Sequence, residues 1–316
     1  MITVRIKGGL GNQMFQYAVG YALATQAADE VCFDPAFTPT MTARSYKLPL
    51  LRVQTANKAN TSCLPTIAKV LKNPYINKAC RMLKLGHHTS GDFLYYLEVD
   101  ESFHPEVLTL GGKNVYLDGY FQSPHYFESY RKELLTQLQP NYLPADSYMA
   151  QLAQIKSSCS VAVHVRRSDF KADRSPFHYL LAADYYREAL AYMRAKLSVP
   201  EFFWFTDDFE WVKAHFPADE HTHFVELHTQ HCDIDDMMLM KHCHHIITAN
   251  STFSWWAAWL NEHPDALIVV PGKPYGNPDM LPSSWIFTKS QKQCFPSYTC
   301  FSSNCLHSFP PVNLFL

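Results

Sequence analysis

The sequence predicts an α/β fold with parallel sheets, on three observations. Its first 34 residues read as strand, glycine loop, helix and strand. From about residue 159 five strand-like segments alternate with four helix-like ones. The residues with the most chemistry fall where strands end. Alternation of this kind is the signature of a doubly wound parallel sheet, and such sheets bind ligands beyond the carboxyl ends of their strands.

At the start, Ile2, Val4 and Ile6 alternate with Thr3, Arg5 and Lys7, a period of two that predicts a strand. Gly8-Gly9-Leu10-Gly11-Asn12 follows, then an alanine-rich stretch from Gln13 to Ala28 that suits a helix. Val31-Cys32-Phe33 forms a second strand ending in Asp34, so the segment is a βαβ unit. From residue 35 to about 150 prolines interrupt the pattern. A basic amphipathic stretch lies near 67–85, and a strand at Val115-Tyr116-Leu117 runs into Asp118 to Ser123. A lobe boundary is expected between Pro140 and Ser158, which divides the chain into residues 1–150, residues 151–290 and a tail of unassigned role at 291–316. In the second part strands are expected at 160–165, 202–206, 223–227, 245–249 and 266–270. Helices are expected at 182–197, 208–216, 233–243 and 252–262.

Composition narrows the function classes. The chain has 316 residues, 47% of them apolar, enough for a large buried core. With 27 basic and 29 acidic side chains there is no global field to draw in nucleic acid, so an anion must be met by a local cluster. Nine scattered cysteines argue for a reducing compartment rather than a disulfide framework. No apolar run is long enough to span a bilayer, and the opening Met1-Ile2-Thr3-Val4 reads as a strand, so no signal peptide is expected. The expected location is cytoplasmic, with room for peripheral contact at the inner membrane.

Five constellations could carry chemistry. In His164-Val165-Arg166-Arg167-Ser168-Asp169 two arginines leave a buried strand together. Guanidinium forks suit a diphosphate, whereas an Arg–Asp network closing the sheet is the structural alternative. In Asn250-Ser251-Thr252-Phe253 a strand exits into a helix whose free N–H groups could bind an anion, or which could be an ordinary cap ahead of Trp255 and Trp256. The glycine loop has two of the three glycines of a dinucleotide fingerprint, with Asp34 where a ribose-binding acid would stand. That pattern supports an NAD-dependent oxidoreductase, against which Met14 occupies the close-packing position. His228, His231, Cys232 and His242 to His245 could be metal ligands, but their placement at element ends favours packing. Asp207-Asp208 could hold Mg²⁺, yet a helix cap is the better account.

Several segments together resemble bacterial α-1,2-fucosyltransferases, members of glycosyltransferase family 11. These are Gly8 to Tyr17, Gly119 to Pro124, the His-Val-Arg-Arg-Ser-Asp run, Asp236 to Met240, and Asn250 to Leu260, in the family's order over about residues 1–285. The resemblance implies a GT-B-type fold of two facing Rossmann-like lobes, with the acceptor on the first and GDP-fucose on the second. It also implies inversion at the anomeric carbon without metal or other cofactor, and a galactoside acceptor. Position by position, Arg166 would bind the pyrophosphate and stabilise the leaving GDP, with Arg167 and Asp169 completing that motif. His164 and Asp236 would read the guanine, and Asn250, Ser251, Thr252 and Phe253 would border the donor. Asn12, in the glycine loop whose Gly9 and Gly11 would also border the donor, would face the reacting centre from the other lobe. Asp169, Asp173 and Glu188 are candidates for the base. The chain departs from the family in having Ser168-Asp169-Phe170 where Gly-Asp-Tyr is usual, and beyond Trp285 the likeness ends. A sugar-binding protein without catalysis is a further alternative, distinguished by releasing no GDP.

Overall fold

The computed structural model describes residues 1–35, 45–53, 64–167, 180–272 and 277–288. Two sheets organise them. In the first, strands β1 (Ile2–Ile6), β2 (Val31–Pro35), β3 (His87–Ser90), β4 (Phe93–Leu97) and β5 (Asn114–Asp118) lie in the order β2-β1-β5-β4-β3. All neighbours are parallel except the β3–β4 hairpin. The second sheet is parallel throughout, in the order β11-β10-β9-β6-β7-β8. It comprises β6 (Ser160–Val165), β7 (Glu201–Thr206), β8 (Thr222–Phe224), β9 (His245–Ile247), β10 (Ile268–Val270) and β11 (Ile286–Phe287).

The alternation in β1 decides what covers each face of the first sheet. Ile2, Val4 and Ile6 point into the core under helix α1 (Leu10–Ala27). Gly20 of that helix is the close-packing glycine: a Cβ there would stand 2.6 Å from Val4 Cγ2. Met14 is buried in the core instead. On the other face Tyr95, Leu97 and Tyr116 meet Ala68 and Leu71 of α2 (Thr66–Leu71) and Cys80 of α3 (Pro74–Met82). Arg5, Asp34 and Asp118 lie on that second face, where Arg5 donates to Asp118 and Lys72 to Asp34.

The second part alternates as expected, with helices α6 (Ala183–Lys196), α7 (Phe209–His215), α8 (Cys232–His242) and α9 (Thr252–Trp259) between its strands. Before them come α4 (Arg131–Gln137) and α5 (Asp146–Lys156), and α5 packs against α8. The expected boundary at 140–158 is therefore occupied by a helix that lies on the second part. Arg131 reaches the same way, donating to the carbonyls of Trp259 and Asn261.

The two sheets are joined by one continuous core. Phe15 of α1 packs on Trp255 and Trp256 of α9, at 4.5 and 4.9 Å between ring centres, and Phe127 stacks on Trp256. Trp256 Nε1 donates to the carbonyl of Gly11 across the junction. Strands β3, β4 and β11 and helices α4 and α5 were not expected from the sequence. The run Phe93 to Leu97 is apolar without alternation because β4 is buried on both faces, and β11 is two residues long.

Candidate active site

β6 is flanked by β9 and β7 in a parallel sheet, so the turns after all three strands open at one end. The arginine pair stands in the central one. Arg167 is held from several sides: its Nε pairs with Asp208 at 3.2 Å, its guanidinium lies 4.0 Å from the Trp211 ring centre, and its backbone N–H donates to Asp207. Arg166 pairs through Nε with Asp207 at 3.3 Å. Both arginines thus belong to an Arg–Asp network, as the structural alternative required, but the two differ in access. The Arg166 side chain keeps 36% of its surface exposed and that of Arg167 only 12%. Asp208 also caps α7 by accepting from the N–H of Trp211. Asp169 and Asp173 fall outside the described residues, as does the tail after residue 288, and Glu188 is half-buried on α6.

His164, the residue before the exit of β6, is buried, and its ring lies 5.4 Å from that of Phe253. Burial, and then the charge of Arg166, push its pKa down to about 3, so it is neutral at any working pH. Its Nδ1 has no hydrogen-bond partner among the described residues. Asp236, on α8, has a buried Oδ1 in the same condition. Burial, with Asp233 and Asp235 nearby, raises its carboxyl to about 7. Asp235 is by contrast satisfied, accepting from Tyr142 and Thr229. Unsatisfied buried polar atoms are costly to leave so, which makes them markers of a surface built to meet a ligand.

Beyond β9, Asn250 is buried and Ser251 caps α9 by accepting from the N–H of Phe253. Thr252, first in the helix, meets the glycine loop of the other lobe. A Cβ on Gly11 would stand 2.6 Å from the Thr252 carbonyl carbon, so only glycine fits. The strand exits of the two sheets therefore face each other through this contact. Gly8 takes the left-handed φ of +81°, and above Gly9 the space is open. Asn12 sits at that edge, its Oδ1 taken by Gln122 Nε2 at 2.8 Å, which turns the amide donor end away from Gln122. Gln122 was not singled out from sequence; it shows its place only because β5 lies next to β1.

The same contacts oppose the dinucleotide reading. The backbone of Thr252 fills the place where a pyrophosphate would approach the second glycine. Asp34 is buried and bonded to Lys72 at 2.5 Å and to Tyr116. The histidine and cysteine run also packs: Cys243 caps α8, the His244 ring lies 4.3 Å from that of His263 at a tilt, and His231 lies against Tyr142. Among the described residues no three His, Cys, Asp or Glu side chains gather as a metal site.

The class that this architecture defines is the two-lobed GT-B-type glycosyltransferase, with the strand exits of two Rossmann-like sheets brought face to face. The model of the family described as glycosyl transferase family 11 matches residues 1–278, and the chain belongs to that family. It is 28% identical to an α-1,2-colitosyltransferase of Escherichia coli, over 90% of this chain and 98% of that protein. To the mouse galactoside 2-α-L-fucosyltransferase Sec1 it is 27% identical, over 82% of this chain and 64% of the relative. Among solved structures, fucosyltransferase NodZ from Bradyrhizobium aligns with a TM-score of 0.49 at 13% identity, covering 81% of this chain and 92% of that one.

Proposed function

We propose that the chain transfers L-fucose from GDP-fucose to the 2-hydroxyl of a terminal β-galactoside, with inversion, giving an α-1,2 linkage. The observation that carries this is Arg166, the more open of the two arginines at the exit of the central strand. As the C1–O bond breaks, its electron pair leaves with GDP and negative charge gathers on the β-phosphate. A fixed guanidinium there stabilises that charge more than the ground state, which lowers the barrier. Arg167, shut between Asp208 and Trp211, would hold the turn in shape. The N-terminus of α9 at Asn250, Ser251 and Thr252 adds N–H donors for the phosphates.

Guanine would lie against Phe253, with its N–H edge toward Asp236 and a hydrogen bond to His164. Both side chains have a buried polar atom without a partner among the described residues, which supports this assignment. Asn12 would steady the reacting sugar from the glycine loop, beside the open space at Gly9. The acceptor oxygen attacks the face opposite GDP and its proton passes to a base, for which Asp169 is the candidate. We place the enzyme in the cytoplasm, working on glycans at the inner membrane. No described helix is long and apolar enough to cross a bilayer.

A relative named for colitose supports a second reading in which the donor sugar lacks a hydroxyl that fucose has. One experiment covers both readings: incubate the protein with lactose and either GDP-fucose or GDP-colitose, in EDTA, and solve the product by NMR. An α-1,2-fucosylated lactose is expected. A product only from GDP-colitose selects the second reading, and sugar binding without release of GDP overturns both.

A further inference from the structure

Charge in this chain is segregated along the sequence. From residue 35 to 91 there are nine lysines and arginines and no aspartate or glutamate, although the whole chain carries a net charge of -2. The described part of that stretch includes α2 and α3, which cover the second face of the first sheet. Their inward sides are accounted for. Ala68, Leu71 and Cys80 are buried against the sheet, Lys72 pairs with Asp34, Asn77 donates to Asp118, and Arg81 bonds to Asn77.

The outward side is apolar, which is unusual for a helix on a protein surface. Tyr75, Ala79 and Met82 recur at helical spacing, with Ile76 and Leu83 beside them, and all five are exposed. Tyr75 keeps 83% of its surface exposed, Met82 76% and Leu83 69%, and Val70 and Leu85, just before and just after them in the chain, are exposed as well. Lys69, Lys78 and Lys84 are exposed around it. Such a patch is costly in water unless something covers it.

We propose that the outer face of α2–α3, centred on Tyr75, Met82 and Leu83, docks peripherally on an anionic lipid bilayer. Apolar side chains flanked by lysines, with no acid among them, match the boundary between phosphate headgroups and acyl chains. A nucleic acid would answer the lysines but leave the leucine, methionine and isoleucine uncovered. An acidic protein partner would face the same lysines, but it has no need of an acid-free stretch this long. The face lies on the first lobe and is built from residues outside the donor site, so it stands or falls independently of the sugar donor.

The test is flotation of the full chain with vesicles of phosphatidylglycerol and phosphatidylethanolamine, against vesicles of phosphatidylcholine. Binding to the anionic vesicles alone is expected, weakened by salt because the lysines act through screened charge. The triple variant Tyr75→Ser, Met82→Ser, Leu83→Ser should lose about tenfold or more in partitioning. Circular dichroism and the thermal midpoint establish that it is folded. Should it fail to fold, Lys69→Glu, Lys78→Glu, Lys84→Glu on the exposed surface gives the same readout. Unchanged binding by folded variants, equal binding to neutral vesicles, or binding to heparin or RNA without binding to vesicles would each overturn the proposal.

Discussion

Each sheet of this protein gathers charged side chains toward the ends of its strands, and the two gatherings are built to opposite ends. On the first sheet Asp118 is fully buried and takes four donors: Arg5 at 2.7 Å, Lys7 and Tyr95 at 2.6 Å, and Asn77 at 3.0 Å. Asp34 completes the cluster through Lys72 and Tyr116. On the second sheet Arg166 remains partly open, and His164 and Asp236 each keep a buried polar atom without a partner among the described residues. A saturated buried network holds a fold together, whereas an incomplete one is a surface waiting to be completed. Charge at a strand exit thus says little about function until its remaining hydrogen-bonding capacity is counted.

The largest effect expected from breaking this contrast is at Asp118. Asp118→Asn would leave the partly buried Arg5 and Lys7 without their counter-charge, a loss of about 3 kcal/mol in stability, the lower end of the range for a wholly buried pair. Chemical denaturation measures it, and activity per folded molecule should be little changed. The pH dependence follows. Burial opposes ionisation of Asp118, but Lys7 and Arg5, with the hydrogen bonds of Lys7 and Tyr95, outweigh it and hold the carboxyl well below the ordinary range. Its contribution is therefore present above the unfolded carboxyl pKa of about 3.9 and is lost as pH falls toward the depressed folded value. A wild-type acid-unfolding limb that does not shrink in the variant would contradict this.

Next comes Arg166→Ala, which should do the reverse. Turnover is expected to drop by about 10²–10³ at nearly unchanged stability, as for loss of one preorganised donor. Near-normal kcat in that variant would remove Arg166 from the proposed mechanism.

The smallest effect sharpens the comparison at the nucleotide. With its carboxyl raised to about 7 by burial, Asp233 and Asp235, Asp236 is largely neutral below neutrality in the free protein. If guanine is read as proposed, its N–H donors favour the carboxylate, so GDP binding would release the proton of Asp236. Affinity should therefore rise with pH from acid to neutral, by at most about tenfold per unit, and level off above 7. Calorimetry in buffers of different ionisation heat would detect the proton, and Asp236→Asn should flatten the slope. A slope that persists in the variant would place the titrating group elsewhere. His164 cannot supply it, because a pKa near 3 keeps it neutral throughout.

Much of the second sheet was legible without coordinates. Ser160–Val165 and its successors alternate with helices at regular spacing, and parallel strands buried on both faces appear as continuous apolar runs. The βαβ unit at the start was equally plain, because the alternation of Ile2, Val4 and Ile6 with Thr3 and Arg5 reflects a real difference between two faces. The β3–β4 hairpin was not, since the apolar run Phe93 to Leu97 has no period to separate it from a buried helix. At the site, sequence order identified the residue types at the strand exits, but not what encloses Arg167. That depends on Trp211 and Asp208, more than forty positions away along the chain.

By itself, then, the sequence determined the alternation of elements, the strand exits as the place for chemistry, and the acid-free basic segment, all local properties that a linear pattern records. Only the tertiary structure decided which ionic cluster is closed and which is open. It also decided that Gly11 serves the meeting of two lobes and not a dinucleotide, and that α3 turns Tyr75 and Met82 outward. Those outcomes depend on which remote groups reach the same few cubic ångströms, and burial and hydrogen-bond saturation are properties of that meeting and not of any one residue.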